Sequence, residues 1–331
     1  MSFKEEFFKK EKDKIVCLLC RHYCKLKEGQ KGICGVNMNQ NGSLKNLVYG
    51  KVAAINIDPI EKKPLYHFLP GSKALSIGSV GCNFKCPFCQ NWSISQSKQI
   101  SGYNLLPEQI VKLALENQCK SIAYTYNEPT IFWPFAKDIA TLAKKYKIKG
   151  VFVSNGFESP EILEQMRGLI DGFNIDIKSF KKEYYKKSLK GDLQGVLDTL
   201  KTVKKLGFWL ECTTLIVPGD NDSDEELREI ANFIAKELGK DVPWHLSAFH
   251  PDYKVQDKPS TPPSTLIRAY KIAKEAGLEF VYFGNVAIKA ITYCPRCNEE
   301  LIIRNGYFIE KNILEDGKCP TCQEKIPGVW K

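Results

Sequence analysis

Residues 74–89 read Ala-Leu-Ser-Ile-Gly-Ser-Val-Gly-Cys82-Asn-Phe-Lys-Cys86-Pro-Phe-Cys89 and join a short apolar run directly to three cysteines. The first half, small or apolar almost throughout, reads as a strand buried on both faces. Working outward from it, one unit repeats. Helical spacing over 106–118 is followed by a strand over 121–127, a helix over 132–146 and a strand over 149–155. Helix 159–168, strand 172–179, helix 193–207 and strand 208–217 come next, then helix 224–238, strand 243–250, helix 264–277 and strand 279–285. The helical period is clearest over 193–207, where Leu193, Val196, Leu197, Leu200, Val203 and Leu206 share one face. Ser159-Pro160 is a helix start, a capping hydroxyl followed by a first-turn proline.

Six strand–helix units and a seventh strand predict an α/β protein with a parallel sheet. Polar residues recur at the C-terminal ends of nearly all the strands, where barrel sites are built, so a closed or partly closed barrel is expected rather than a flat sheet. The predicted organisation is a Cys-rich N-terminal metal-binding region and connector over 1–72, a barrel over 73–289, and a small Cys-rich tail over 290–331.

Hydrophobic residues make up 43% of the 331, enough for a core, which excludes wholesale disorder. No run approaches the roughly 18 apolar residues of a membrane helix. Residues 1–16 mix acids with lysines and lack the apolar centre of a secretion signal. A cytoplasmic protein with no membrane role is expected. The net charge of +10 is spread along the chain. It reads first as a solvated lysine-rich surface, with a nucleic-acid face as the alternative.

Cysteine is the informative residue. Eleven of the 13 fall into three groups: Cys17, Cys20, Cys24, Cys34; Cys82, Cys86, Cys89; and Cys294, Cys297, Cys319, Cys322. Such short clusters without a secretion signal point to metal before disulfide. Three thiolates from one loop leave a tetrahedral zinc one ligand short, so a zinc knuckle would borrow a distant fourth. On a four-iron cubane they leave one iron without a protein ligand, and that open iron is a chemical site.

The spacing C-x3-C-x2-C, with Phe88 before the third cysteine, resembles the cluster motif of the radical S-adenosylmethionine (SAM) enzymes. The resemblance implies a partial (β/α)6 barrel of the radical SAM type. It also implies a [4Fe-4S] cluster on Cys82, Cys86 and Cys89, whose open iron is chelated by SAM. Reductive cleavage of SAM there gives a 5′-deoxyadenosyl radical that abstracts hydrogen from substrate. Asn127-Glu128-Pro129 resembles the superfamily's glycine-glycine-glutamate motif, without its glycines, and assigns Glu128 to the SAM ammonium. Ser154-Asn155-Gly156 and Asp176-x-Lys178 resemble the pyruvate formate-lyase activating enzyme branch, where the matching positions contact the SAM carboxylate and ribose. In strand 208–217 Thr213 stands where that branch usually has Arg. His250 matches a histidine near the adenosyl group. Phe88 and Asn127 join the cofactor contacts through the same motifs.

A wider pattern spans the chain. It includes Cys17-Leu-Leu-Cys20 with Cys34-Gly35-Val36, Lys63-Pro64-Leu65-Tyr66-His67-Phe68, Cys89-Gln90-Asn91-Trp92, Trp244-His245 and Ile326-Pro327-Gly328-Val329-Trp330. This is similar to the radical SAM enzyme of the AmmeMemoRadiSam system. The similarity implies an activating-enzyme-like oxidoreductase, working anaerobically with a low-potential electron donor of the ferredoxin or flavodoxin type. Its implied partners are a protein substrate or the AMMECR-like and Memo-like proteins.

The tail carries two Cys-Pro-x-Cys knuckles, a closed four-thiolate set of the zinc-ribbon or rubredoxin type. Zinc or iron at Cys294, Cys297, Cys319 and Cys322 is expected to staple a segment too small to fold on its own core, as a docking module separable from the barrel. The N-terminal four, Cys17, Cys20, Cys24 and Cys34, suit zinc or an auxiliary iron–sulfur cluster. His67 and His245 are candidates for the substrate side. A second functional reading, from another class, is a zinc-ribbon nucleic-acid-binding protein on an α/β scaffold, with aromatics near the ribbon stacking on bases.

Overall fold

Seven parallel strands lie side by side in chain order: Lys73–Gly78, Ser121–Tyr124, Lys149–Ser154, Gly172–Asp176, Trp209–Ile216, Trp244–Ala248 and Val281–Gly284. The computed structural model describes residues 5–331; residues 1–4 of the N-terminal region lie outside the described residues. Helices Pro107–Glu116, Trp133–Lys145, Pro160–Met166, Leu193–Lys205, Asp224–Phe233 and Pro263–Glu275 alternate with the strands. The sheet stays open, with Val281–Gly284 at one edge. This is the partly closed barrel that the strand–helix alternation predicts.

Local chemistry sets the boundaries. Ser159 Oγ accepts from Ile162 N–H at 3.2 Å and Asp192 Oδ2 from Gly195 N–H at 2.8 Å, so both helices begin on side-chain caps. Leu193, Val196, Leu197, Leu200 and Val203 are buried, and Leu206, at the fraying end, is half-buried. Strand Ser121–Tyr124 is buried at every position because helices cover one face and the barrel interior the other.

The opposite edge corrects the sequence reading. Residues 49–72, read as a connector, contain an eighth strand, Ala54–Pro59, antiparallel to Lys73–Gly78 from Ala54 opposite Gly78 to Pro59 opposite Lys73. Its hydrophobic pattern is inverted. Ile57 is 41% exposed, while Asp58 is buried against Lys63 Nζ at 2.7 Å. Pro59 is tolerated because it ends an edge strand.

The N-terminal region forms a three-stranded antiparallel sheet (Phe8–Glu11, Lys14–Cys17, Lys25–Leu26) and a hairpin (Asn37–Gln40, Ser43–Asn46). The tail forms another three-stranded sheet, Ala290–Tyr293, Glu300–Asn305 and Phe308–Asn312. Its Leu301, Ile302 and Ile326 share one apolar cluster with Tyr66, Phe280 and Tyr282. Arg304, fully buried, donates to the Tyr66 carbonyl at 2.6 Å and to Thr292 Oγ1 at 3.0 Å. Its guanidinium lies 4.5 Å over the Tyr66 ring and 3.8 Å from Glu61. The tail is therefore packed into the body, not appended to it as a separable module.

Candidate active site

A cavity of about 680 Å³ opens at the C-terminal ends of the parallel strands. Cys82, Cys86 and Cys89 line it from the loop after the first of these strands. Asn127 and Glu128 follow the second strand, Ser154 and Asn155 the third, and Asp176 with Lys178 the fourth; all of them line the same cavity. Side chains from four successive strand ends converge there because parallel strands with right-handed crossovers all end on the same rim.

The three thiols lie within one another's fields. Burial pushes the Cys82 thiol up, as do the neighbouring Cys86 and Glu128 charges. Burial raises Cys86 to about 12, against the opposing pull of Lys178. Phe84 N–H donates to Cys82 Sγ at 3.4 Å, and Ser95 Oγ lies 3.2 Å from Cys89 Sγ. Buried thiols of this kind ionise by binding metal, which displaces their protons. Three such ligands beside open cavity space fit a cubane with one unprotected iron.

Glu128 is buried, and burial together with the adjacent Glu158 carboxyl pushes its carboxyl upward. Its oxygens accept N–H groups from Thr130 at 3.0 Å and Asn155 at 2.8 Å. Ser154 Oγ stands 3.1 Å from Glu128 Oε2 and 2.5 Å from Glu158 Oε1. One hydroxyl has one proton to donate, so it satisfies one carboxylate, and the other contact needs a protonated acid. Two buried acids about one serine therefore hold a proton between them. Across the cavity Lys178 Nζ pairs with Asp176 at 2.8 Å, and Asp176 and Cys86 hold its ammonium charged despite burial. An acid, a cation, two amides and a hydroxyl around one cavity form a donor set suited to the ammonium, carboxylate and ribose of an amino-acid nucleoside.

Two predicted contacts lie elsewhere. Phe88 is packed in the apolar core and is not among the residues lining the cavity. His250 is exposed and meets the cavity only through Gln90, whose amide donates to His250 Nε2 at 2.9 Å. Thr213, at the branch's Arg position, donates to Asn174 Oδ1 at 2.9 Å inside the barrel.

The remaining surface of the cavity was only partly legible. Tyr66, Lys63 and His245 line it, as do Gly306 and Tyr307 from the tail. His245 rests on Glu211, a fully buried carboxylate that the sequence reading passed over. The signal was present: Glu211 is the lone acid among apolar residues in a buried strand. In the tail, Cys294, Cys297, Cys319 and Cys322 bring all four sulfurs within 4.8 Å of one another. Asn298 and Gln323, each directly after a knuckle, both adopt the left-handed backbone, at φ 62° and 60°. These four thiols form a group able to hold a metal ion.

Comparison with known proteins agrees with this geometry. The radical SAM superfamily matches residues 76–234. Uncharacterized protein MJ0808 of Methanocaldococcus jannaschii is 43% identical over 97% of both chains. The chain belongs to the family of this archaeal protein, and its residues 76–234 carry a radical SAM domain. The match begins in the strand before the triplet, and within it lie all three cysteines, Glu128, Asp176 and Lys178. A pyruvate formate-lyase-activating enzyme of Clostridium pasteurianum is 25% identical over 54% of this chain and 80% of its own. A radical SAM methyltransferase from Sphaerobacter thermophilus superposes with a TM-score of 0.53 at 14% identity, over 66% of this chain and 68% of its own, and shows the shared radical SAM fold. Among the described residues no helix is long and apolar enough to cross a membrane.

Proposed function

We propose that this protein is a radical SAM oxidoreductase of the activating-enzyme type. The observation that carries this reading is the meeting of Cys82, Cys86 and Cys89 with Glu128 and Lys178 around one cavity. When bound, the cluster and SAM supply a 5′-deoxyadenosyl radical able to abstract hydrogen from a substrate. The chain's own residues hold and orient. Cys82, Cys86 and Cys89 are the three cluster ligands. Glu128, with Asn127, receives the SAM ammonium. Lys178, Ser154 and Asn155 face its carboxylate, and Asp176 its ribose. Gln90 carries His250 toward the adenosyl end, and Phe88 anchors the cysteine loop from the core.

The rest of the cavity, with Tyr66, Lys63, His245 and Tyr307, receives the substrate. We take that substrate to be macromolecular, a protein in the AmmeMemoRadiSam setting, with AMMECR-like or Memo-like proteins as partners and a ferredoxin- or flavodoxin-type donor supplying the electron. The tail metal is zinc in this reading. The alternative of a nucleic-acid-binding zinc ribbon gains no support from the relatives. The test is anaerobic incubation of the reduced protein with SAM and quantification of 5′-deoxyadenosine. Formation that disappears in Cys86→Ala is expected; equal formation in a folded Cys86→Ala variant would overturn the assignment.

A further inference from the structure

The SAM chemistry above makes no use of the four N-terminal cysteines. Strand Lys14–Cys17 pairs with Lys25–Leu26, and Cys17 N–H donates to the Cys24 carbonyl at 3.0 Å. That hairpin holds Cys17 and Cys24 at one end, with Cys20 in its loop. Cys34 returns over Gly32, where a Cβ would stand 3.4 Å from Cys24 Sγ. The Asn37 side-chain amide donates to Cys34 Sγ at 3.5 Å. Donors aimed at sulfur stabilise thiolates. The hairpin pairing and the turn at Gly32 thus bring all four cysteines into one small region of the chain. Four free cysteines gathered at one end of a hairpin, with no disulfide among them, are a ligand set for a metal centre.

The spacing and the neighbourhood choose the metal. A single zinc, with Zn–S of about 2.3 Å, draws its sulfurs to about 3.8 Å from one another. The tail thiols are gathered on that scale. Among the described residues the N-terminal and central groups are both more open. A cubane, whose ligands bind separate corners, needs the wider cage. The N-terminal group also stands directly behind the central one. Gly81, at φ +88° and next to Cys82, packs so closely that a Cβ would meet the Cys34 carbonyl at 2.6 Å. His22 Nε2–H donates to the Asn83 carbonyl at 3.0 Å. One hydrogen bond therefore links Cys20-Arg21-His22 to Asn83 and Cys82.

We propose that Cys17, Cys20, Cys24 and Cys34 bind a second iron–sulfur cluster, coupled to the centre at Cys82, Cys86 and Cys89 through the His22–Asn83 contact. The site is independent of the proposed SAM chemistry; only the coupling rests on the central triplet holding a cluster.

The test is metal analysis and electron paramagnetic resonance of the full chain carrying Cys82→Ala, Cys86→Ala and Cys89→Ala, purified anaerobically after loading with iron and sulfide. This variant is expected to keep about four iron and four sulfide per chain and to give a cluster signal on dithionite reduction. Because the central ligands are gone, the result does not depend on SAM cleavage. Zinc in place of iron at the N-terminal group, or no metal there in a folded variant, would overturn the proposal. If the triple variant does not fold, Cys17→Ser with Cys34→Ser replaces it. Its iron should fall from about eight to about four per chain, and unchanged iron would overturn the proposal. In the unmodified protein the two reduced clusters should broaden each other's signals; sharp, independent signals would overturn the coupling.

Discussion

His245 Nε2 stands 2.7 Å from Glu211 Oε2, beneath the cavity whose rim carries the cysteine triplet. Glu211 also accepts N–H groups from Tyr66 at 2.9 Å, His67 at 2.8 Å and the Trp209 ring at 3.0 Å. Burial alone would raise its carboxyl, but His245 and these donors hold it below the usual range. One carboxylate thus ties the segment entering the barrel, residues 64–67, to two strands and to the cavity floor.

Breaking this pair should be costly. Glu211→Ala is expected to lose about 3–5 kcal/mol in denaturant unfolding, because buried donors are left without an acceptor. A double-mutant cycle with His245→Ala should return a coupling above about 1 kcal/mol. Additive losses would mean that the two side chains are neighbours without an energetic bond.

SAM binding should release a proton near neutral pH. The buried Glu128–Ser154–Glu158 arrangement retains one proton, and Glu128 is shifted upward by burial and by Glu158. An arriving ammonium favours the ionised carboxylate, so affinity should rise with pH until Glu128 is ionised in the free protein. Calorimetry in buffers of different ionisation enthalpy reads this directly. Buffer-independent heats would contradict the placement of the ammonium at Glu128.

Acid should loosen the tail through His67. Its Nδ1–H donates to the Pro327 carbonyl at 2.7 Å, and the Tyr282 hydroxyl donates to its Nε2 at 2.6 Å. Burial lowers this imidazole from 6.5 to about 4. The folded state therefore binds this proton less readily than the unfolded chain. Stability is fully present above pH 6.5 and is lost as pH falls toward 4, by on the order of 3 kcal/mol. Unfolding midpoints across that window should show the loss, and His67→Gln should flatten it. An identical slope in the variant would assign the effect to other groups.

Zinc removal should act on the same end of the molecule. Cys319→Ala is expected to lower zinc by about one per chain and to speed amide exchange at Leu301 and Ile302, which share the tail's buried cluster. Unchanged zinc content would place the ion elsewhere, and iron in its stead would make the tail a redox site.

The barrel was legible because both of its periods are strong. Apolar runs such as 121–124 alternate with amphipathic helices such as 193–205, and the caps at Ser159 and Asp192 mark where helices begin. The convergence of the triplet, Glu128 and Lys178 on one cavity was legible because each follows a strand in a recurring local motif. The edge strand Ala54–Pro59 was not, since its one buried residue is Asp58 while Ile57 is exposed beside Asn56. Glu211 stands out locally as the only acid of its strand, but its pairing and that of Arg304 do not. Their roles depend on partners 145 and 238 residues away, and no local pattern encodes such pairs.

The most direct measurement is the electron paramagnetic resonance spectrum of the reduced Cys17→Ser/Cys34→Ser protein, with only the central group able to hold a cluster, before and after adding SAM. A [4Fe-4S] signal whose g-values shift on SAM addition is predicted, because the ligand occupies the iron that Cys82, Cys86 and Cys89 leave open. A cluster signal indifferent to SAM, or a colourless zinc centre at these three cysteines, would contradict the assignment.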